Sequence, residues 1–146
     1  MSLFAPSLNS VPGVLGVGFD QVDLDRLGGV VERQKKRFLE RVYTPEELEY
    51  CLSQRNPIPS LAARFAAKEA ISKCFGTGIG AEFGWHSASI GKGQRGEPVV
   101  TLNAQGLELL AHRGGTAILV SLSHSRTLAG AIALLVAQAP IEPSHD

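Results

Sequence analysis

The sequence predicts a single α+β domain in which an antiparallel sheet packs on one long central helix, and three observations predict it. Helix-like and strand-like periodicities mix without the strict βαβ alternation of a doubly wound fold. A chain of 146 residues, 44% of them hydrophobic, is long enough for one core and short for two. The longest helical pattern, Ser60 to Phe75, has an alanine-rich side suited to close packing against a sheet.

Residues 1–12 carry neither the charged nor the apolar region of a signal peptide and read as a flexible leader. Val14 to Phe19 has the apolar, β-branched character of a buried strand. Its period of two points Leu15, Val17 and Phe19 one way and Val14, Gly16, Gly18 and Asp20 the other, so the glycines clear the face that carries Asp20. Glycine inside a strand marks close approach by a ligand or another backbone. Asp23 to Phe38 reads as a helix, loosened by Gly28 and Gly29, that ends in the basic run Arg33-Gln34-Lys35-Lys36-Arg37.

Thr44-Pro45-Glu46-Glu47 is a helix start, with threonine as N-cap, proline at the first helical position and Glu47 closing a capping box. That helix runs to about Gln54, and Asn56-Pro57-Ile58-Pro59 stops it. Ser60 then caps the central helix, which Gly76-Thr77-Gly78 ends. Ala88 to Ile90 and Pro98 to Leu102 flank a Gly-Lys-Gly-Gln-Arg-Gly turn and form a hairpin. Asn103 caps a helix to His112, released by Gly114-Gly115, and Ala117 to Ser123 with Leu128 to Val136 makes a second hairpin. The domain is expected over residues 13–138, and residues 139–146 read as a flexible tail.

At roughly 100° per residue, Ala63, Ala66, Ala67, Ala70, Ile71 and Cys74 share the small apolar side of the central helix. Arg64, Lys68, Glu69, Ser72 and Lys73 fall on the other side. Cations with one carboxylate suit phosphate and metal. Asp20 and Glu69 together offer hard oxygen ligands for a divalent cation that also holds substrate phosphates, the usual way Mg2+ is bound. Plainer readings stand beside this one. Glu69 and Lys73, four apart, suit a helix-surface pair of roughly 0.2 to 0.5 kcal/mol, and Asp20 suits a strand-end turn. The basic run suits a solvated face.

The Gly-Val-Gly-Phe-Asp strand, the block Arg64 to Gly78 (Arg-Phe-Ala-Ala-Lys-Glu-Ala-Ile-Ser-Lys-Cys-Phe-Gly-Thr-Gly) and the late Val-Ser-Leu-Ser-His run, in that order, resemble the holo-[acyl-carrier-protein] synthases, a family of 4'-phosphopantetheinyl transferases. The resemblance runs from about Gly13 to Val136. It implies transfer of 4'-phosphopantetheine from coenzyme A to a serine of apo acyl carrier protein, for fatty acid biosynthesis. It further implies Asp20 and Glu69 as Mg2+ ligands, Lys73 on the transition-state charge and leaving phosphate, and Glu69 as proton acceptor.

By the same resemblance Lys68, Ser72, Gly76, Thr77 and His124 contact coenzyme A, and Arg26, Arg33, Lys36 and Arg37 dock the acidic carrier. One extra residue before Phe38 prevents a one-to-one match of residues 35–37 with the family. A homotrimer with active sites shared between neighbours is implied as well, and apolar Leu128, Ile132, Leu134 and Val136 leave a surplus that association would cover. Three other readings compete: a non-catalytic coenzyme A-binding module on the same fold, a structural trimer whose basic helix is only an interaction surface, and a transferase serving a polyketide or peptide-synthesis carrier.

Balanced charge, with 14 basic and 14 acidic residues, argues against bulk binding to nucleic acid. No apolar run approaches the roughly 20 residues that span a bilayer, and a cytoplasmic location is expected. Cys51 and Cys74 lack zinc-site spacing, and Cys74 suits a small core hydrophobe. His86 and His112 are expected at the surface, and Trp85 in the core or flanking the nucleotide.

Overall fold

A computed structural model describes residues 13–138; the expected leader 1–12 and tail 139–146 lie outside the described residues. Strand β1 (Val14–Asp23) opens the fold, followed by helices α1 (Leu24–Gln34), α2 (Lys36–Val42), α3 (Pro45–Leu52) and α4 (Ile58–Phe75). Then come β2 (Ala88–Lys92), β3 (Pro98–Leu102), α5 (Ala104–His112), β4 (Ala117–His124) and β5 (Leu128–Val136). The strands form two antiparallel sheets, one in the order β1-β5-β4 and the other the hairpin β2-β3. This is the α+β arrangement the sequence predicts. Among the described residues no helix is long and apolar enough to cross a membrane.

The three-stranded sheet lies directly on α4. A Cβ at Gly16 or Gly18 would run into the carbonyl oxygens of Cys74 and Ala70, so here the glycines admit another backbone. Ala66, Ala70, Ile71 and Cys74 of α4 meet Ala131, Ala133 and Leu135 of β5 in one core cluster, which Phe75, Phe83, Ile90, Leu109 and Leu110 complete. A second cluster lies where α1 to α3 wrap the first half of α4, around Leu27, Phe38, Val42, Tyr43, Cys51 and Leu61. Both cysteines are free and buried.

Three local expectations need correction. The first strand continues past Phe19 to Asp23, whose side chain accepts from Arg26 N at 2.9 Å and so caps α1. The first helical segment then breaks at Lys35 instead of loosening at Gly28 and Gly29. Lys35 takes φ 51, and its N–H closes α1 on Val31 O before α2 begins. Ser60 is not a cap, because α4 starts two residues earlier at Ile58, where the Asn56 side chain accepts from Ile58 N at 3.3 Å. Its Pro59 sits in the first turn, where no intrahelical N–H is needed.

The largest correction concerns the polar side of α4. Arg64, Lys68 and Ser72 are buried, so the helix is enclosed on most of its circumference. Glu47 explains how. Its Oε1 accepts from Thr44 N at 2.8 Å to complete the expected capping box, and the same atom takes Lys68 Nζ at 2.7 Å. Its Oε2 accepts from Ile90 N at 2.9 Å. Lys68 also donates to Trp85 O and Ala88 O, each at 2.7 Å, which uses all three ammonium hydrogens. Burial pushes the Lys68 pKa down, and the Glu47 carboxylate pulls it back up. The pair thus ties α3, α4, β2 and the 85–88 turn together at one point.

Breaking one side of such a pair strands a buried charge, which costs about 3 to 5 kcal/mol. Lys68→Met is therefore expected to lower stability by that order in urea denaturation, and Glu47→Gln/Lys68→Met to recover a clear part of the loss. Equal stability of the single variant and the unaltered chain would show that the pair does not organise the fold.

Candidate active site

Asp20 lies two residues past Gly18 on the face of β1 that meets α4, and Glu69 and Lys73 lie one turn apart on α4 beside it. Lys73 Nζ donates to Asp20 Oδ1 at 3.0 Å and to Phe19 O at 3.0 Å. The expected Glu69–Lys73 surface pair is thus replaced by one across elements, half-exposed on the lysine side and mostly covered on the aspartate side. The Glu69 carboxylate has no hydrogen bond or ion pair among the described residues. Partial burial raises its pKa, the Asp20 charge raises it further, and Lys73 lowers it.

These two carboxylates open on a cleft of about 680 Å³. Asp23 and Arg26 border it at the start of α1, and Leu27, Val30, Phe38 and Phe65 form its apolar wall. Two carboxylates close enough to repel are a donor set for a hard divalent cation. No cluster of three or more His, Cys, Asp or Glu suited to a metal occurs among the described residues. A site with one or two carboxylates, completed by phosphate and water oxygens, matches the way Mg2+ is held and not an all-protein cage.

His124 ends β4 and borders different clefts. One, of about 370 Å³, runs along the outer sheet face past Phe19 and Gln21. The other, of about 450 Å³, is walled by Tyr50, Ser60, Arg64 and Lys92, with no carboxylate on its lining. There Arg64 and Lys92 lie 4.5 Å and 4.9 Å from the Tyr50 ring centroid, cation–π contacts that hold both charges at the cleft. Sequence reasoning placed Arg64 on the polar side of α4 and passed over Tyr50 and Lys92. Lys92, the last residue of β2 beside the glycine-rich turn, gave no stronger signal than a solvated charge.

Gly76 and Thr77 close α4. Gly76 takes φ 80, and its N–H and that of Thr77 return to Lys73 O and Ser72 O. Gly76 lies with Lys73 on a third cleft, of about 290 Å³. Lys68 and Ser72, expected as coenzyme A contacts, are both turned into the fold in this structure. The ammonium of Lys68 is spent inside the fold, and the Ser72 hydroxyl, fully buried, donates to Glu69 O at 2.7 Å. Arg26, Arg33, Lys36 and Arg37 are all exposed along α1 and the first turn of α2, with Lys36 paired to Glu40 at 3.5 Å. His86 and His112 are exposed as expected, and Trp85 is half-buried with its ring on Phe65 at 4.9 Å.

Residues 16–131 match the 4'-phosphopantetheinyl transferase superfamily. The chain is 43% identical over 122 residues to a holo-[acyl-carrier-protein] synthase of Syntrophus aciditrophicus, covering 84% of this chain and 95% of the relative. A synthase of the same name from Chlorobaculum parvum is 44% identical over 119 residues, with 82% and 96% covered. Among solved structures, the Helicobacter pylori holo-[acyl-carrier-protein] synthase in complex with coenzyme A superposes with a TM-score of 0.73 at 32% identity, covering 82% of this chain and 98% of that one.

The Glu69 carboxyl is expected to titrate above the usual carboxylate range in metal-free protein, read by carbon NMR. Asp20→Asn should lower its midpoint and Lys73→Met should raise it. Because its folded pKa lies above the unfolded value, Glu69 favours the unfolded chain increasingly as pH rises from the unfolded pKa through the folded one. Asp20→Asn should therefore lessen that loss of stability with rising pH. A midpoint unmoved in both variants would mean the three groups do not share one site.

Proposed function

The chain belongs to the 4'-phosphopantetheinyl transferase superfamily, and we propose that it transfers the 4'-phosphopantetheine group of coenzyme A to a serine of apo acyl carrier protein. The reaction is Mg2+-dependent, releases adenosine 3',5'-bisphosphate and serves fatty acid biosynthesis in the cytoplasm. One observation carries this reading: Asp20 and Glu69 share a cleft with Lys73 held against Asp20, in a chain 43% identical to a holo-[acyl-carrier-protein] synthase.

Phosphoryl transfer of this kind is catalysed by positioning and electrostatics. Asp20 and Glu69 would hold Mg2+, which when bound supplies positive charge for the pyrophosphate and a fixed template. Lys73, one turn from Glu69, presents its ammonium to the leaving phosphate oxygen once the substrate draws it from Asp20. Glu69, beside the cleft in which the serine would arrive, accepts the proton of the incoming serine hydroxyl. The cations Arg64 and Lys92 with His124 suit the nucleotide phosphates, and Gly76 and Thr77 offer backbone and hydroxyl groups beside Lys73.

Arg26 borders the carboxylate cleft, so an acidic carrier guided by Arg26, Arg33, Lys36 and Arg37 would deliver its serine there. Within one chain His124 and Glu69 line separate clefts. A homotrimer, with the His124 cleft of one subunit facing the Glu69 cleft of the next, reconciles that separation with a single bound coenzyme A. The outer face of the β1-β5-β4 sheet supports association, since Leu15, Phe19, Leu119, Leu128 and Ile132 stand exposed on it. Phe19 and Ile132 are direct cross-strand partners.

Incubation with coenzyme A, Mg2+ and apo acyl carrier protein is expected to add one phosphopantetheine mass to the carrier by intact mass spectrometry. Glu69→Ala and Lys73→Met should each lower kcat by about 100-fold or more, and chelation of the metal should stop transfer. Arg26→Glu should raise KM for the carrier while leaving coenzyme A binding unchanged. Ile132→Lys should yield monomers by light scattering and lose transfer with them. An unmodified carrier at saturating coenzyme A and Mg2+ would overturn the reading.

A further inference from the structure

Helix α2 carries much of what the proposed carrier would meet, yet little within α2 holds it in place. Lys36 and Arg37 stand exposed in its first turn, and Phe38 walls the cleft that Asp20 and Glu69 share. At seven residues, α2 is well short of the roughly 12 to 15 at which an isolated helix is even marginal in water. Phe38 and Val42 are its buried side chains. Lys35, at φ 51, cuts it from α1 and gives its start no side-chain cap among the described residues. The orientation of α2 must therefore be set from outside.

Its C-terminal end shows by what. A helix leaves its last carbonyls without an intrahelical partner. Tyr43 N returns to Leu39 O at 2.9 Å, but Thr44 N, which would extend the ladder to Glu40 O, donates instead to Glu47 Oε1 in the capping box of α3. Glu40 O is released by that diversion, and His86 Nε2 lies 2.9 Å from it. A carbonyl only accepts, so Nε2 carries the hydrogen. His86 is exposed, but the 85–88 turn that bears it is fixed. Trp85 O and Ala88 O accept from the buried Lys68 of α4, and the buried Ser87 hydroxyl accepts from Gly84 N and donates to Gln105 Oε1. Trp85 reaches α2 as well, since its ring lies 4.9 Å from that of Phe65, which lies 6.2 Å from that of Phe38. One turn is thus joined to both sides of the cleft, to α4 with Glu69 and to α2 with Phe38.

We propose that His86 is a positioning residue for the carrier: its hydrogen bond to Glu40 O holds α2 at the angle that presents Lys36 and Arg37 to an acidic partner and keeps Phe38 on the cleft wall. The proposal rests on the transfer reading above. His86 touches no reacting atom, so its loss should act on the carrier and spare coenzyme A. In steady-state transfer, His86→Ala should raise the KM for apo acyl carrier protein about fivefold, the loss of one ordinary hydrogen bond. Its kcat and its KM for coenzyme A should stay within about twofold of the unaltered protein. His86→Gln puts an amide N–H where Nε2 stood and should restore the carrier KM. His86→Phe, a flat ring without a donor, should behave as His86→Ala.

Hydrogen exchange followed by mass spectrometry reads the brace without turnover. Peptides covering residues 36–42 should exchange about fivefold faster in His86→Ala and His86→Phe than in the unaltered protein or His86→Gln, while those of the β1-β5-β4 sheet should not change. An unmoved carrier KM in His86→Ala, an equal rise in the KM for coenzyme A, no recovery in His86→Gln, or unchanged exchange in α2 would each overturn the proposal. If the unaltered protein modifies no carrier, the transfer reading falls and the carrier role of His86 falls with it. If it modifies the carrier and only the exchange or the KM fails to move, His86 alone is struck.

Discussion

The close approach of β1 to α4 is the constraint on which the rest of the structure depends. Gly16 and Gly18 lay the strand backbone against the carbonyls of Cys74 and Ala70, and alanines at 63, 66, 67 and 70 keep the helix surface low enough to receive the sheet. The contact fixes distance and register together. Asp20 follows Gly18 by one strand repeat, and Glu69 and Lys73 bracket Ala70 on the helix. A side chain at Gly18 would lift β1 off the helix and draw Asp20 away from Glu69, although the sheet pairing with β5 would survive. Stability and the spacing of the two carboxylates therefore rest on the same few atoms.

Rotation of α4 about its own axis needs a second fixed point, and the Glu47–Lys68 pair supplies it from the far side. Lys68 precedes Glu69 by about 100° of helix. Anchoring its ammonium on Glu47, Trp85 O and Ala88 O therefore sets the direction in which Glu69 projects. A buried ion pair is weak evidence of net stabilisation. Here its geometric effect is clearer, because three hydrogen bonds of fixed direction hold one helix against two other elements.

The elements that follow from local chemistry were legible in the sequence. The Thr44-Pro45-Glu47 capping box, the Asn103 cap and the two hairpins stand where residue type and spacing put them. Asp20, Glu69 and Lys73 were legible as a group through their motif, and the structure brings them together. Lys68 and Ser72 misled because helical periodicity assigns charge to solvent, and nothing within α4 reveals that a carboxylate more than twenty residues earlier waits to bury the lysine. The break at Lys35 was hidden for a different reason. Lysine gives no local sign of a left-handed φ, whereas Gly28 and Gly29 advertise flexibility that α1 does not use. Arg64, Lys92 and Tyr50 come together only when α3, α4 and the β2–β3 hairpin are folded, so their shared cleft has no signature along the chain.

The charge balance of the site gives the lysine a double position. In the free protein Asp20 and Glu69 repel, and Lys73 offsets part of that repulsion by sitting on Asp20. A pyrophosphate brought beside the same carboxylates adds negative charge, which one ammonium shared with Asp20 does not balance at close range. A divalent cation held by the two carboxylates, as proposed, would remove the reason for Lys73 to stay. The four-carbon stem of a lysine, flexible and ending in a point charge, can then turn from the carboxylate to the phosphate without moving the helix. Arginine, with its planar fork matched to a carboxylate, would bind Asp20 better and release it less readily. On the proposed mechanism, the residue type at position 73 would follow from a site where the ammonium must leave Asp20 for the phosphate before chemistry begins.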